Sequence, residues 1–293
     1  MKIAHLILAH AGPAQLQRLV ERLLHKDADV YIHIDKRAAI QPFEQLQELP
    51  GVVFIQHRVK VYWGAYSIVE ATLRGFETIS QAGKKYDYIN LLSGQDYPIQ
   101  PINHIHRFLE ENKGKAFMEF YPVATVWQEA IPRLSRYHLT HYRFAGKHLL
   151  EKWMNKLLPD RIIPKKMVAV GRSQWFTITS EHMHYILQFL QNNPVVSRFF
   201  KFTWGADELV FQTILYNSPY QKDMVNNNLR LIDWSDGGVS PKTFTIADAS
   251  ALMTSDKLYA RKFGSNTNDP LLHLIDQQLL LLENSTISPL SAV

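Results

Sequence analysis

The stretch KIAHLILAHAGP at positions 2–13 decides the fold, because it joins a strand to the turn that leads into a helix. Lys2–Ala9 is an apolar run of strand length, and Pro13 opens a helix whose leucines share one face. Val30–Ile34 is a second apolar strand, which ends at Asp35. This order predicts the nucleotide-binding half of an α/β fold. The turn lacks the G-x-G-x-x-G pattern, so it is not a dinucleotide fingerprint.

Strands and helices continue to alternate as far as about residue 120. The apolar strand Tyr86–Leu92 runs straight into Ser93-Gly94-Gln95-Asp96. Ligands of open α/β sheets bind at the carboxyl ends of the strands, where Asp35 and Asp96 both fall, so we expect the active cleft there. The other elements predicted in this part are strands Val52–Ile55 and Ala116–Phe120, a helix capped by Ser67 that runs to about Gln81, and a helix Ile102–Asn112.

The alternation breaks after Phe120, where the chain becomes rich in aromatic, Arg, His and Lys residues. We interpret residues 121–170 as an insertion that carries substrate specificity rather than as a separate domain. The elements predicted after it are a strand Trp175–Thr179, a helix Glu181–Asn192 capped by Ser180, a helix after Asp207 and a strand Leu229–Asp233.

The last predicted helix, Pro270 to about Glu283, is too apolar to be solvated on every side. We expect it to pack on the body of the protein, on a second subunit in a homodimer, or peripherally on a membrane surface.

Composition excludes several classes of protein. The chain has 293 residues, of which 46% are hydrophobic and 20% charged, and its net charge is +5. It has no cysteine, which excludes disulfides and thiolate metal sites and favours a cytoplasmic location. No apolar run is long enough to span a membrane. The basic residues are spread along the chain without a dense stripe, so nucleic acid is not an expected partner.

Motifs for common catalytic classes are missing. The sequence has no G-x-S-x-G, no P-loop and no H-E-x-x-H. Its only Asp-x-Asp, Asp27-Ala28-Asp29, precedes a strand and is interpreted as a solvated turn at the wrong end of the sheet for a metal-bound diphosphate. A diphosphate ligand would therefore have to be neutralised by fixed cations, for which Lys242, Arg261 and Lys262 are candidates.

Asp207 and Glu208 follow a Trp-Gly turn and open an apolar helix. Two acids at this position favourably oppose the helix dipole, which is a purely structural explanation. A carboxylate there is also well placed to act as a general base.

Six segments in the same order resemble the Core-2/I-branching enzyme family, glycosyltransferase family 14, which includes β-1,6-N-acetylglucosaminyltransferases and peptide O-xylosyltransferases. The resemblance covers nearly the whole chain. It implies a GT-A-like, Rossmann-type α/β fold with a central, mostly parallel sheet flanked by helices. The segments are 32–37 (IHIDKR), 63–71 (WGAYSIVEA), 91–98 (LLSGQDYP), 171–176 (GRSQWF), 207–213 (DELVFQT) and 259–263 (YARKF).

The resemblance also implies the chemistry: an inverting, metal-independent transfer of a sugar from a UDP-sugar to a hydroxyl of a glycan or lipid-linked saccharide, with no cofactor. It divides the single domain 1–293 into a nucleotide-sugar-binding half (1–120), an acceptor-side insertion (121–170) and a segment with the base and the diphosphate contacts (171–293). Alternatives left open are GlcNAc or xylose as the sugar, and a non-catalytic UDP- or glycan-binding module. The residues implied are Glu208 as catalytic base; Asp35, Arg37, Asp96, Lys242, Arg261 and Lys262 for the donor; and Glu119, Arg133 or Arg136, and Trp175 for the acceptor.

The sequence departs from the animal members of this family, since it is shorter and has no cysteines, membrane anchor or stem. These departures predict a prokaryotic-type enzyme that is cytoplasmic or peripheral at the inner face of the membrane.

Overall fold

A computed structural model describes residues 1–265 and 269–287. The strands in these residues are β1 Ile3–Ala9, β2 Ala28–Ile34, β3 Val52–Phe54, β4 Tyr88–Ser93, β5 Asp96–Pro98, β6 Ala116–Pro122, β7 Val170–Thr179, β8 Met224–Asn226, β9 Arg230–Ile232 and β10 Tyr259–Arg261. The helices are α1 Pro13–Leu23, α2 Ser67–Gln81, α3 Ile102–Glu111, α4 Ile131–Ser135, α5 Lys147–Leu157, α6 Ser180–Asn192, α7 Pro194–Lys201, α8 Val210–Tyr216, α9 Ala249–Met253 and α10 Pro270–Ile287.

The main sheet has seven strands in the order β3-β2-β1-β4-β7-β6-β8. Neighbouring strands are parallel except at β7, which runs antiparallel to both β4 and β6. A second sheet of three strands, β5-β10-β9, lies at the end of β4. The predicted α/β class with a mostly parallel central sheet is confirmed.

Helices cover both faces of the main sheet. Side chains alternate along each strand, so an apolar strand such as β1 presents apolar residues to both faces. Ile3 and Ile7 of β1 pack in one core with α1 and α10, whereas Ala4 and Leu6 pack in the other core with α2, α6 and α8. The region between β6 and β7, residues 123–169, adds no strand to either sheet.

Two helix starts differ from their predictions. Thr179, rather than Ser180, caps α6, since its Oγ1 accepts a hydrogen bond from the His182 backbone N–H. Ser67 is the first residue of α2 rather than its cap, and its Oγ accepts from the backbone N–H of Tyr62. Both hydroxyls form local hydrogen bonds, as is usual for Ser and Thr at helix starts. The cap of α6 lies one residue before the predicted one, and Ser67 lies inside the helix that it was predicted to cap.

The solvated turn predicted at Asp27-Ala28-Asp29 is wrong for Asp29, which lies in β2 and is 5% exposed. Its carboxylate accepts hydrogen bonds from Tyr86 Oη at 2.6 Å and Lys84 Nζ at 3.0 Å, and it also pairs with Lys2. The pairing explains why a charged group is tolerated inside.

Helix α10 packs on the body through Leu271, Leu272, Ile275 and Leu279, which are buried. Leu281, on another side of the helix, is 70% exposed. Of the three surroundings predicted for this helix, packing on the body is therefore confirmed. Among residues 1–265 and 269–287, no helix combines the length and apolar character needed to cross a bilayer.

Candidate active site

Asp35 lies directly after β2, at the carboxyl end of the sheet, as predicted. Its carboxylate accepts hydrogen bonds from the backbone N–H of Arg37 at 2.8 Å and from the Arg37 guanidinium, with Nη2 at 2.7 Å and Nε at 3.1 Å. Burial alone would raise the pKa of Asp35, but the Arg37 hydrogen bonds outweigh it and hold the pKa below its usual value. The Arg37 guanidinium also lies 4.7 Å from the ring centre of Tyr62. Asp35 and Arg37 therefore form one ionised unit at the strand end.

Asp96, which follows the end of β4, forms an ion pair with Arg261. They are directly opposite in the antiparallel pairing of β5 with β10, and Arg261 Nη1 donates to Asp96 Oδ1 at 2.8 Å. Burial raises the pKa of Asp96, against the opposing effect of Arg261. The Arg261 guanidinium lies 4.3 Å from the ring centre of Trp175. Since Asp96 is fully buried, the pair anchors this segment, and contact of either residue with a donor stays a prediction.

The two candidate lysines differ in their partners. Lys242 Nζ donates to Asp248 at 2.7 Å and lies 3.8 Å from Asp233, so its charge is already balanced. Lys262 Nζ donates to the neutral hydroxyl of Ser240 at 3.0 Å and forms no ion pair with any residue in the described ranges. Of the two, Lys262 is the cation that an anionic ligand can recruit without breaking an ion pair.

A small cleft opens at the ends of β1 and β4. The residues that line it include Ala9 to Gly12, Ser93 to Gln95, and Gln15 from α1. Gln15 is 2% exposed, and neither its amide nitrogen nor its amide oxygen has a hydrogen-bond partner among the described residues. A buried unpaired amide is costly, which marks this position as one suited to a polar ligand.

Glu208 lies on the 3-10 turn Ala206–Glu208, which follows the left-handed Gly205. Its Oε2 accepts from Arg133 Nη1 at 2.6 Å, and its side chain is 32% exposed. Arg133 in turn lies 4.9 Å from the ring of Trp127 and 4.3 Å from that of Trp204. Burial raises the pKa of Glu208, while Arg133 opposes the rise. The carboxylate is thus accessible and held in place.

Gly205 fits this arrangement because any larger residue would crowd Arg133. A Cβ at this position would lie 3.0 Å from Arg133 Nη1, and the φ of +65° disfavours other residues.

Glu119 lies on β6 and accepts from the amide of Asn228 at 3.2 Å, which also donates to Ser173 Oγ. Burial raises its pKa, with Arg172 opposing the rise and the charge of Glu208 adding to it. The two predicted carboxylates are therefore close enough to interact electrostatically.

Asp207 is a second acid beside Glu208, but it is 6% exposed and its Oδ1 has no partner among the described residues. Burial and the neighbouring Glu208 charge raise its pKa to about 7. Glu208 is the better placed of the two for contact with a substrate.

Of the two arginines predicted beside the acceptor, Arg133 joins the Glu208 cluster, while Arg136 is exposed and makes no ion pair among the described residues.

Three site residues were given no role from sequence: Arg172, Asn228 and Gln15. Gln15 carries a usable signal, since it is a polar residue on the apolar face of a helix.

No group of three His, Asp or Glu that could hold a metal ion occurs in the part of the chain that the structure describes. Metal independence itself remains a prediction.

The Core-2/I-branching enzyme family model matches residues 3–255, which is most of the chain. The chain belongs to this family. The family consists of glycosyltransferases, so the predicted class of enzyme is confirmed at this level. The family and the sheet topology together confirm the GT-A-like α/β fold.

Among curated proteins, rat xylosyltransferase 2 is 27% identical over 95% of this chain and 34% of its own length, and rat xylosyltransferase 1 is 26% identical over 95% and 35%. The chain thus spans about a third of the length of these relatives. Among solved structures, apo mouse xyloside xylosyltransferase 1 has a TM-score of 0.40 and 11% identity, over 92% of this chain and 99% of that one. These relatives are animal proteins, so the expected prokaryotic type gains no support from them.

Proposed function

We propose that this chain transfers a sugar from a UDP-sugar to a hydroxyl of a glycan or glycoconjugate, with inversion, without a metal, and with Glu208 as the general base. Xylose is the favoured sugar because the similar proteins are named xylosyltransferases, and GlcNAc is the alternative. The observation that carries the proposal is the partly exposed Glu208 carboxylate, fixed by Arg133 beside Glu119.

The proposed reaction is a single displacement. The acceptor hydroxyl loses its proton to Glu208 while its oxygen attacks the anomeric carbon. The bond from that carbon to the β-phosphate oxygen breaks, and UDP leaves with the electron pair. One displacement inverts the configuration, whereas retention by two displacements needs a carboxylate nucleophile. Lys262 neutralises the leaving diphosphate, and Glu119 holds acceptor hydroxyls.

The cleft beside Gln15 is the proposed site of the uracil ring. A carboxamide offers one donor and one acceptor, which matches the N–H and C=O groups on the imide edge of uracil. Asp35 is proposed to bind the ribose. Equal affinity for GDP-mannose and for UDP-sugars would contradict this assignment.

The lack of cysteine supports a cytoplasmic location, which is part of the proposal together with peripheral contact with the inner membrane face.

The test combines donor binding with turnover. Thermal shift and calorimetry with UDP, UDP-xylose, UDP-GlcNAc, UDP-glucose and GDP-mannose, each with EDTA and with Mn²⁺, identify the donor by its stabilisation of the folded protein. Glu208→Gln is expected to lower transfer or donor hydrolysis about 10²–10⁴-fold while UDP binding is retained. Glu48→Gln is the matched control, because Glu48 is an exposed glutamate at the end of the 3-10 helix Gln41–Glu48. Binding only with Mn²⁺, or unchanged turnover in Glu208→Gln, refutes the mechanism; binding without any turnover indicates a binding module.

A further inference from the structure

Helix α5 turns its apolar residues outward. None of its residues is buried. Leu149 is 62% exposed, Trp153 50% and Leu157 69%. Two more exposed apolar residues follow the helix in sequence, Leu158 at 46% and Ile162 at 84%. Large apolar side chains that are contiguous and exposed mark an interaction surface, unlike single ones scattered over a protein.

Polar residues on the opposite side fasten α5 to the protein. Glu151 Oε2 accepts from the backbone N–H of Leu139 at 2.7 Å. The Asn155 side-chain amide accepts a hydrogen bond from the backbone N–H of Tyr137 at 2.7 Å and donates one to the backbone C=O of Tyr137 at 2.8 Å. With about 100° between successive residues of a helix, Glu151 and Asn155 lie on the side opposite to Trp153. The hydrogen bonds therefore fix the helix with its apolar face in solvent.

The exposed face is flanked by positive charge. Lys152 and Lys156 are exposed beside the apolar residues, and Lys156 Nζ lies 5.7 Å from the ring centre of Trp153. Glu151, one of the acids, is held in its hydrogen bond to the body. Over residues 147–166 the bases are Lys147, Lys152, Lys156, Arg161, Lys165 and Lys166, and the acids are Glu151 and Asp160.

We propose that α5 docks on the surface of an anionic lipid bilayer, in the plane of the head groups, with Leu149, Trp153 and Leu157 inserted at the acyl boundary. A helix with Trp and Leu on one face and Lys beside them fits this interface, where both apolar and anionic groups are met. A second copy of the chain fits poorly, because two such faces would bring Lys152 and Lys156 of both copies together without acids to balance them.

The docking surface gives a location to the peripheral membrane contact that is part of the proposed function, and it does not depend on the proposed sugar transfer. It belongs to the region between β6 and β7, which also carries Arg133 of the Glu208 cluster. It differs from α10, the helix for which the sequence predicted membrane contact.

The test is co-sedimentation of the full chain with vesicles, either phosphatidylcholine alone or phosphatidylcholine with phosphatidylglycerol, at low and high salt. We expect binding to the anionic vesicles that weakens with salt. The triple variant Leu149→Gln/Trp153→Gln/Leu157→Gln is expected to bind at least about tenfold more weakly. Lys152→Gln/Lys156→Gln is expected to lose roughly 30-fold on anionic vesicles, from about fivefold per lysine.

Leu281→Gln is the matched control, since Leu281 is an equally exposed leucine on α10, and its binding should not change. All substituted side chains are at least half exposed or surface lysines, so the melting temperatures should match the wild type, which checks the fold. Four results overturn the proposal: no binding of the wild type to anionic vesicles, undiminished binding of the triple variant, loss of binding in Leu281→Gln, or a lipid-free dimer that Trp153→Gln converts to monomer in light scattering.

Discussion

Replacing Arg133 with Met should raise the pKa of Glu208 above its already raised value. Arg133 Nη1 lies 2.6 Å from Glu208 Oε2, and the cation favours the ionised carboxylate. With an effective dielectric constant of about 20, two unit charges about 4 Å apart attract by about 4 kcal/mol, which corresponds to about three pKa units as an upper bound. The side chains are 20% and 32% exposed, so solvent screening reduces the expected rise to about one to two units.

Met is an unbranched side chain without a charge, so the change removes the ion pair with Glu208 together with the guanidinium contacts with Trp127 and Trp204. The pKa of Glu208 is measured by ¹³C NMR titration of labelled Glu carboxyls, with the resonance assigned by its absence in Glu208→Gln. Arg136→Met is the control, because Arg136 is exposed and outside the cluster.

The raised pKa of Glu208 in Arg133→Met also changes how thermal stability and reaction rate depend on pH. A carboxyl whose pKa is raised in the folded state contributes stability below its unfolded pKa, and loses that contribution as the pH rises through the folded pKa. Arg133→Met should therefore lower Tm more at pH 8 than at pH 5, and under the proposed function it should shift the acidic limb of the rate profile upward. An unchanged Glu208 pKa, or an equal shift in Arg136→Met, would refute the reasoning.

Two further predictions concern the fold. In Gly171→Ala the new Cβ would clash with the backbone oxygen of Glu208, so Tm should fall by roughly 5 °C. Gly238→Ala, whose Cβ would meet nothing nearer than 3.5 Å, should leave Tm unchanged in the same thermal scan. Equal shifts would contradict the close approach of Gly171 to Glu208. Burial alone would raise the pKa of Asp29, but hydrogen bonds from Tyr86 and two lysines lower it below its usual value. Asp29→Asn should therefore lower the free energy of unfolding by about 2 kcal/mol at neutral pH, and by less in acid, where the carboxylate is protonated. The free energy of unfolding is measured by urea denaturation. A loss that does not change with pH would show that the charge is not involved.

Periodicity predicted most of the main sheet because its strands are long and apolar. β1 and β2 were placed to within two residues at either end, and Asp35 followed β2 as expected. The three-stranded sheet could not be predicted as a unit, since each strand has three residues and no pattern links them. Its partners are chosen by tertiary contacts alone.

The sequence singled out Glu208 and Lys262 by residue type and by motif, and their roles stay predictions. Pairings were not predictable, because they depend on geometry across distant segments. Arg230 is an example: it lies in a predicted strand, yet it is 3% exposed and donates to Asn90, Thr177 and the Leu91 carbonyl. Which face of α5 packs on the protein could not be predicted either, because an amphipathic pattern identifies two faces without showing which one contacts the rest of the protein.

The pairing of β5 with β10 also bears on the order in which the protein is assembled. Asp96 and Arg261 are 165 positions apart, so their strands can meet only after residue 261 has left the ribosome. The seven-stranded sheet is complete with β8 at Asn226. Contacts of such high sequence separation form late, after the cost of closing a long loop has been met. The lysine beside Arg261 is thus expected to be among the last side chains to take its position, and a nascent chain ending before β10 would lack Lys262 from the proposed diphosphate site.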